Sequence, residues 1–191
     1  MSRPDRTERD ISVYLSYLLR HHPEDAALDM DRRGWVSVDQ LLANLQSTCP
    51  LTRTHLERIV AEDEKGRYRF SADGQRIKAC QGHSIPWVEP ELTWGPPPAV
   101  LYHGTTEEAW AAIRACGYIS KMARHAVHMQ PSAEKAWQSA LRWKKRGMAP
   151  VVLVIDAAGM AAEGIAFGVS DNGVWCTERV DVRYVTEVLR P

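Results

Sequence analysis

Residues 66–81 read GRYRFSADGQRIKACQ. GRYRFS and QRIKACQ flank Ala72-Asp73-Gly74, a turn-forming triplet, so a β-hairpin is predicted. Arg67 and Arg69 are two apart and are predicted to share one face of the first strand. Tyr68 and Phe70 then take the other face, toward a core. The arginine face has two readings. It is a solvated sheet surface, or an anion site, because guanidinium forks bind phosphate oxygens in pairs.

Upstream of the hairpin the pattern is helical. Ile11, Tyr14, Leu15 and Leu18 recur at i, i+3, i+4 and i+7, one apolar face. Pro23 and Gly34 mark breaks, and Trp35-Val36 fits a short strand. Ser37 and Gln40 make an S-x-x-Q capping box ahead of Leu41, Leu42 and Leu45. A third helix fits Leu56, Ile59 and Val60. Three helices followed by a hairpin suggest a winged-helix-like module over residues 1–85.

Downstream, residues 83–98 read HSIPWVEPELTWGPPP, with five prolines in sixteen residues. Proline fixes φ and removes a donor, so residues 86–98 are predicted as an extended linker rather than an element. Residues 99–191 alternate strands and helices. AVLYHG (99–104) reads as a strand ending at Gly104, and a helix fits Glu107 to Cys116 with Gly117 as its stop. HAVHM (125–129) fits a short strand, Ser132 a cap for a helix running to about Arg146, and PVVLVI (150–155) a buried strand. GVWCTERVDVRYVTEVL adds further strand-like stretches. The fold class expected is α+β, with mixed β-sheets in the C-terminal lobe.

Composition narrows the function classes. Of 191 residues, 45% are apolar and 25% charged, ordinary for a folded chain. No apolar run nears the roughly 20 residues of a membrane helix. The first ten residues, MSRPDRTERD, have no signal-peptide core, so the cytoplasm is the expected location and no membrane partner is expected. The four cysteines lie far apart with no metal-ligand spacing, so reduced thiols and no metal are expected. Net charge is zero, and residues 1–90 carry 13 Lys/Arg against 14 Asp/Glu. No global basic field marks a nucleic-acid binder, although residues 65–78 hold five cations and one acid.

Three further words carry polar chemistry. LLRHHP ends the first helix on Arg20, His21 and His22; cations there suit the helix dipole, and Pro23 is a plain stop. RHAVHM places Arg124 and His128 around a short strand. YHGT puts His103, Gly104 and Thr105 at a strand end, where a polar ligand could approach the backbone closely. Taken alone, each has an ordinary structural reading. No Walker A loop, GxGxxG, GxSxG elbow or HExxH is present.

Taken together, LSYLLRHHPE, LDMDRRGWVSVDQLL, KGRYRFSADG, IKACQGHS, VLYHGT, RHAVHM, PVVLVIDA and NGVWCT resemble, in order and spacing, the KptA-type RNA 2'-phosphotransferases. The resemblance runs from about Ile11 to Leu189. It implies a winged-helix N-terminal lobe and a C-terminal lobe with the ADP-ribosyltransferase fold. It implies NAD as co-substrate, a 2'-phosphorylated, tRNA-like RNA as partner, and no metal; a monomer is expected. It also implies an Arg-His-Arg-Arg tetrad that falls on Arg20, His21, Arg67 and Arg124, with Arg69 competing for the third place because Phe70 follows it as Tyr68 follows Arg67. The three-part NAD signature of ADP-ribosyltransferases falls on His103, with Gly104 and Thr105 beside it, on His128 and on Val174. Many protein-modifying members have a glutamate at that last position, so Val174 counts against protein modification, although Glu178 lies close by. IKA replaces the family's frequent IRA, and MQ follows the final VH where LS is frequent. Two other readings share the parts: ADP-ribosylation of a terminal nucleic-acid phosphate, and a winged-helix nucleic-acid binder that senses NAD without turnover. The tetrad register gives a direct expectation. Arg67→Ala should abolish phosphate-dependent turnover in a nicotinamide-release assay while Arg69→Ala retains it; the reverse outcome would shift the register by two residues.

Overall fold

Thr7 starts the first helix. Its hydroxyl accepts from Asp10 N–H, and the Asp10 carboxylate accepts from Thr7 N–H in return. The helix α1 (Glu8–Arg20) buries Ile11, Leu15, Leu18 and Leu19, the predicted stripe. The computed structural model describes residues 7–191, which divide into two compact units, residues 7–91 and 92–191.

In the first unit, α1 ends before a 3-10 turn at Pro23–Ala26. Then come β1 (Val36–Ser37), α2 (Val38–Leu45), α3 (Arg53–Ala61), β2 (Tyr68–Phe70) and β3 (Arg76–Ala79). The strands form one antiparallel sheet in the order β1-β3-β2, with Val36 opposite Ile77 and Tyr68 opposite Ala79. Tyr68 is buried in the same core as the α1 stripe, and Phe70 packs against it. The Tyr68 hydroxyl lies 2.6 Å from Ser16 Oγ and donates to the Ser12 carbonyl at 2.5 Å, tying hairpin to helix.

Two expectations need correction here. The S-x-x-Q box closes on one side only. Ser37 Oγ accepts from Gln40 N–H, but the Gln40 side chain turns to Asp29, accepting from its N–H and donating to its carboxylate. The amide satisfies two groups there instead of one at the cap. Arg67 and Arg69 also do not share a strand face. Arg67 precedes β2 and its guanidinium turns to Asp63 and Ser12, whereas Arg69 lies over the Trp35 ring.

The second unit begins with β4 (Thr93–Trp94) inside the proline-rich stretch read as linker alone. Thr93 and Trp94 keep their N–H groups because the prolines flank them, and they pair with Val169 and Gly168. Next come β5 (Val100–Thr106), α4 (Glu107–Cys116), β6 (Tyr118–Ser120), β7 (Val127–Met129) and α5 (Ala133–Ala140). The helix capped by Ser132 ends as α-helix at Ala140 and tightens to 3-10 winding over Leu141–Arg146 before Gly147. After it lie β8 (Pro150–Asp156), α6 (Ala157–Ala162), β9 (Gly168–Val169), β10 (Trp175–Thr177), β11 (Arg179–Asp181) and β12 (Val185–Leu189). The three sheets run β12-β8-β5, β4-β9-β10-β7 and β11-β6, all antiparallel, so the whole is α+β. Val151, Val152, Leu153 and Ile155 of the central strand β8 are buried, as its unbroken apolar run requires.

The strand β5 continues past Gly104, where the sequence reading stopped it. Gly104 pairs with Val152 and Thr106 with Pro150, and Thr106 then caps α4. Gly104 is required by packing rather than by a turn. A Cβ there would lie 2.4 Å from the Ala136 carbonyl oxygen and 3.1 Å from Ala140 N, both in α5. Backbone atoms cannot move aside cheaply. Gly104→Ala should therefore destabilise the chain by about 1–3 kcal/mol, read as a lower urea midpoint; an unchanged midpoint would mean that α5 shifts without cost.

Candidate active site

The end of α1 is held from outside the helix. Its last turn leaves carbonyls without helical partners. The Tyr17 carbonyl takes the His21 and His22 N–H groups, and the Arg20 carbonyl accepts from Ser84 N–H at 2.9 Å. Gly82, at φ +88°, turns the chain into this contact and lies against the Arg20 side chain; an added Cβ would sit 3.7 Å from it. His21 Nδ1 is 2.8 Å from Ser84 Oγ. One short loop thus fixes the backbone of Arg20 and the ring of His21. His22 faces a different setting: its ring stacks on Tyr17 at 4.6 Å, and its Nδ1 is 3.1 Å from Glu24.

Arg67, just before β2, reaches the same helix nearer its start. Its guanidinium meets the Asp63 carboxylate at 2.5 Å and Ser12 Oγ at 3.5 Å, and its own N–H also donates to Asp63. Ser12 is two helical turns, roughly 12 Å, from Arg20 along α1. A surface cavity of about 400 Å³ opens there, lined by Ser12, Ser16, Asp63 and Arg67 among others. Arg69 instead joins Arg76 and Lys78 over the Trp35 ring, all within 5.5 Å of its centre. Glu91 balances that group, 2.6 Å from Lys78 and 3.7 Å from Arg69. The Lys78 ammonium is the main cause of a Glu91 carboxyl that titrates below its ordinary value.

In the second unit His103 and His128 are joined. His103 Nδ1 lies 2.9 Å from the His128 carbonyl. A carbonyl only accepts, so Nδ1 carries the proton and Nε2 is left as an acceptor. The imidazole titrates below its ordinary value; burial is the largest cause, the His128 carbonyl opposes it, and the charges of Arg124 and Arg142 add to it. Arg124 and Arg142 keep exposed surface, yet partial desolvation lowers both, and the charges of Arg124 and Arg146 lower Arg142 further. The two guanidiniums therefore set positive charge near the His103 ring. Gly104 faces α5, Thr105 is buried in β5, and Val174 is buried at a turn where its backbone bonds Ser170. The β10 strand that follows Val174 sets Cys176 opposite His128. Glu178 pairs with Lys121 at 2.6 Å.

Ser84, Asp63 and Arg142 were not singled out in the sequence. Ser84 lies in the quoted word IKACQGHS, and Asp63 stands four residues before Arg67, a spacing that does predict a pair. Arg142 had no signal, because only the fold carries it to Arg124.

These features define a two-unit α+β protein with an arginine–histidine pair at the end of α1 in the first unit and a group of arginines and histidines in the second. The family described as RNA 2'-phosphotransferase, Tpt1 / KptA family, matches residues 6–179. The chain is 42% identical to a "Probable RNA 2'-phosphotransferase" of Pseudomonas syringae pv. tomato, over 98% of this chain and 97% of that one. It is 46% identical to one from Streptomyces coelicolor over 92% of each, and 43% identical to one from Rhizobium leguminosarum bv. trifolii over 95% of each. The chain belongs to the RNA 2'-phosphotransferase family, and so to the transferases. No helix among the described residues is long and apolar enough to cross a membrane.

The depressed His103 value sets a pH dependence. The unfolded imidazole takes up its proton near 6.5, before the native one does. Stability is then full above about 6.5 and falls as pH drops through the lowered native value. Between pH 7.5 and 5.5 the urea midpoint of the wild type should fall more than that of His103→Asn; equal falls would show that His103 is not the group.

Proposed function

We propose that the chain is an NAD+-dependent RNA 2'-phosphotransferase. The reading rests on the family match together with Arg20 and His21 fixed by the loop at residues 82–84. In the first step an oxygen of an internal RNA 2'-phosphate attacks the ribosyl C1'' carbon of NAD+. A C–O bond forms, the C–N bond breaks, and nicotinamide leaves. In the second, the 2''-hydroxyl attacks phosphorus and the bond to the RNA 2'-oxygen breaks. The proton from the 2''-hydroxyl is balanced by the one the RNA 2'-oxygen gains. The products are RNA with a 2'-hydroxyl and ADP-ribose 1'',2''-cyclic phosphate. In this reading the first unit is the winged-helix-like lobe, with the β2–β3 hairpin as wing, and the second is the ADP-ribosyltransferase-like lobe.

The tetrad side chains suit these roles. Arg20 and Arg67 of the first unit and Arg124 of the second each suit phosphate oxygens, and guanidiniums stay charged throughout. Arg67 has five N–H donors, so its contact with Asp63 leaves others for phosphate. His21, oriented at Nδ1 by Ser84, exchanges the proton at Nε2. His103 presents Nε2 as an acceptor, which fits a ribose hydroxyl of the dinucleotide, and Gly104, Thr105, His128 and Val174 are assigned to the same ligand. The positive charge of Arg124 and Arg142 beside it fits a pyrophosphate.

Alanine at Arg20 or Arg124 should each reduce kcat about 10²–10³-fold, the scale of losing one charge-stabilising donor. His21→Ala should reduce it about 10²–10⁴-fold, and His22→Ala should leave it within a few fold. Nicotinamide release on an oligonucleotide with one internal 2'-phosphate reads all four. Normal turnover by His21→Ala with loss in His22→Ala would reverse the assignment.

A further inference from the structure

The 3-10 segment Leu141–Arg146 reads LRWKKR, four cations in six residues. Its Lys144, Lys145 and Arg146 are exposed, and Trp143 is half-buried between two guanidiniums, Arg142 at 5.2 Å and Arg146 at 5.1 Å from its centre. Elsewhere in this unit four cations sit on carboxylates, Lys121 on Glu178, Arg179 on Asp181, Arg183 on Glu163 and Arg190 on Glu107, while the exposed Arg114, Arg124 and Lys135 stand singly in the sequence. Among the described residues, no carboxylate is within ion-pair distance of the four cations of Leu141–Arg146. A neutral chain has thus gathered uncompensated charge in one exposed segment. That segment continues α5, whose Ala136 and Ala140 lie against Gly104 beside His103, and the charge of Arg142 reaches the His103 imidazole.

We infer that Leu141–Arg146 is a docking surface for the phosphodiester backbone of single-stranded RNA next to the modified nucleotide. This rests on the proposed phosphotransferase reading for its choice of partner. The chemistry favours a polyanion over a compact ligand. Six residues of 3-10 winding span roughly 12 Å, several phosphates' length but too long for one pyrophosphate. Arginine and lysine answer the repeating charge, and the indole held between guanidiniums offers an edge for a base. Arg142 stays with the reacting centre, and the other three cations run outward from it along the strand.

The test uses the full chain and a labelled single-stranded RNA of about 20 nucleotides without a 2'-phosphate, read by fluorescence anisotropy across a salt series. No NAD is present, so the outcome does not depend on turnover. K144E/K145E/R146E should bind at least about tenfold more weakly, and the slope of log affinity against log salt should shrink by about 2, three contacts at about 0.7 each. K144R/K145R should keep both. K121E/R179E/R183E makes the same charge change on paired cations and should bind like the wild type. If the first triple variant does not fold by circular dichroism, K144A/K145A should still reduce the slope by about 1.4. RNA binding unchanged in the charge-reversed segment would overturn the inference, including the case where NAD affinity or binding to phosphatidylglycerol vesicles falls instead. Equal weakening by both triple variants would overturn it too, by showing an effect of net charge alone.

Discussion

One backbone hydrogen bond sets the centre of the first unit: Ser84 N–H donating to the Arg20 carbonyl. A helix end needs partners for its last carbonyls, and here a loop from the far side of the hairpin supplies one. Gly82 makes that approach possible through its positive φ, and Ser84 Oγ then reaches the His21 ring. The arginine and histidine are therefore fixed by a constraint that begins in helix capping. The hairpin lies where it does because Tyr68 is buried against α1 and its hydroxyl bonds Ser12 and Ser16. Fold and site draw on the same few contacts.

The second unit repeats this economy on a sheet. The buried strand β8 holds β5 in register, and β5 carries His103. The glycine beside His103 lets α5 approach closely, and the winding that continues α5 carries Arg142 toward Arg124. Burial and two nearby guanidiniums keep the His103 imidazole neutral, while the His128 carbonyl fixes its tautomer. The result is a neutral acceptor beside positive charge.

Much of this was legible in the sequence where one periodicity ruled. The α1 stripe, the α4 span with its Gly117 stop, and the apolar run of β8 are local patterns, and they fold as read. The two-residue strands β4 and β9 and the short helix α6 were not legible, because their pairing partners lie far along the chain. Arg67 shows the same limit in the site. Alternation placed it beside Arg69, but Asp63, four residues earlier, pulls it off the strand. Ser84 and Arg142 could not be chosen from sequence alone, since their partners are set by a turn and a helix end.

In the proposed reaction, phosphate leaves RNA on ADP-ribose. An RNA carrying a labelled phosphorus at one internal 2'-phosphate, incubated with the protein and NAD+, tests it in one product analysis by mass spectrometry. The expected result is label in ADP-ribose 1'',2''-cyclic phosphate, one for each nicotinamide released, and RNA with a bare 2'-hydroxyl. Label released as inorganic phosphate with NAD+ unconsumed, or a stable ADP-ribosylated RNA as the end product, would contradict it.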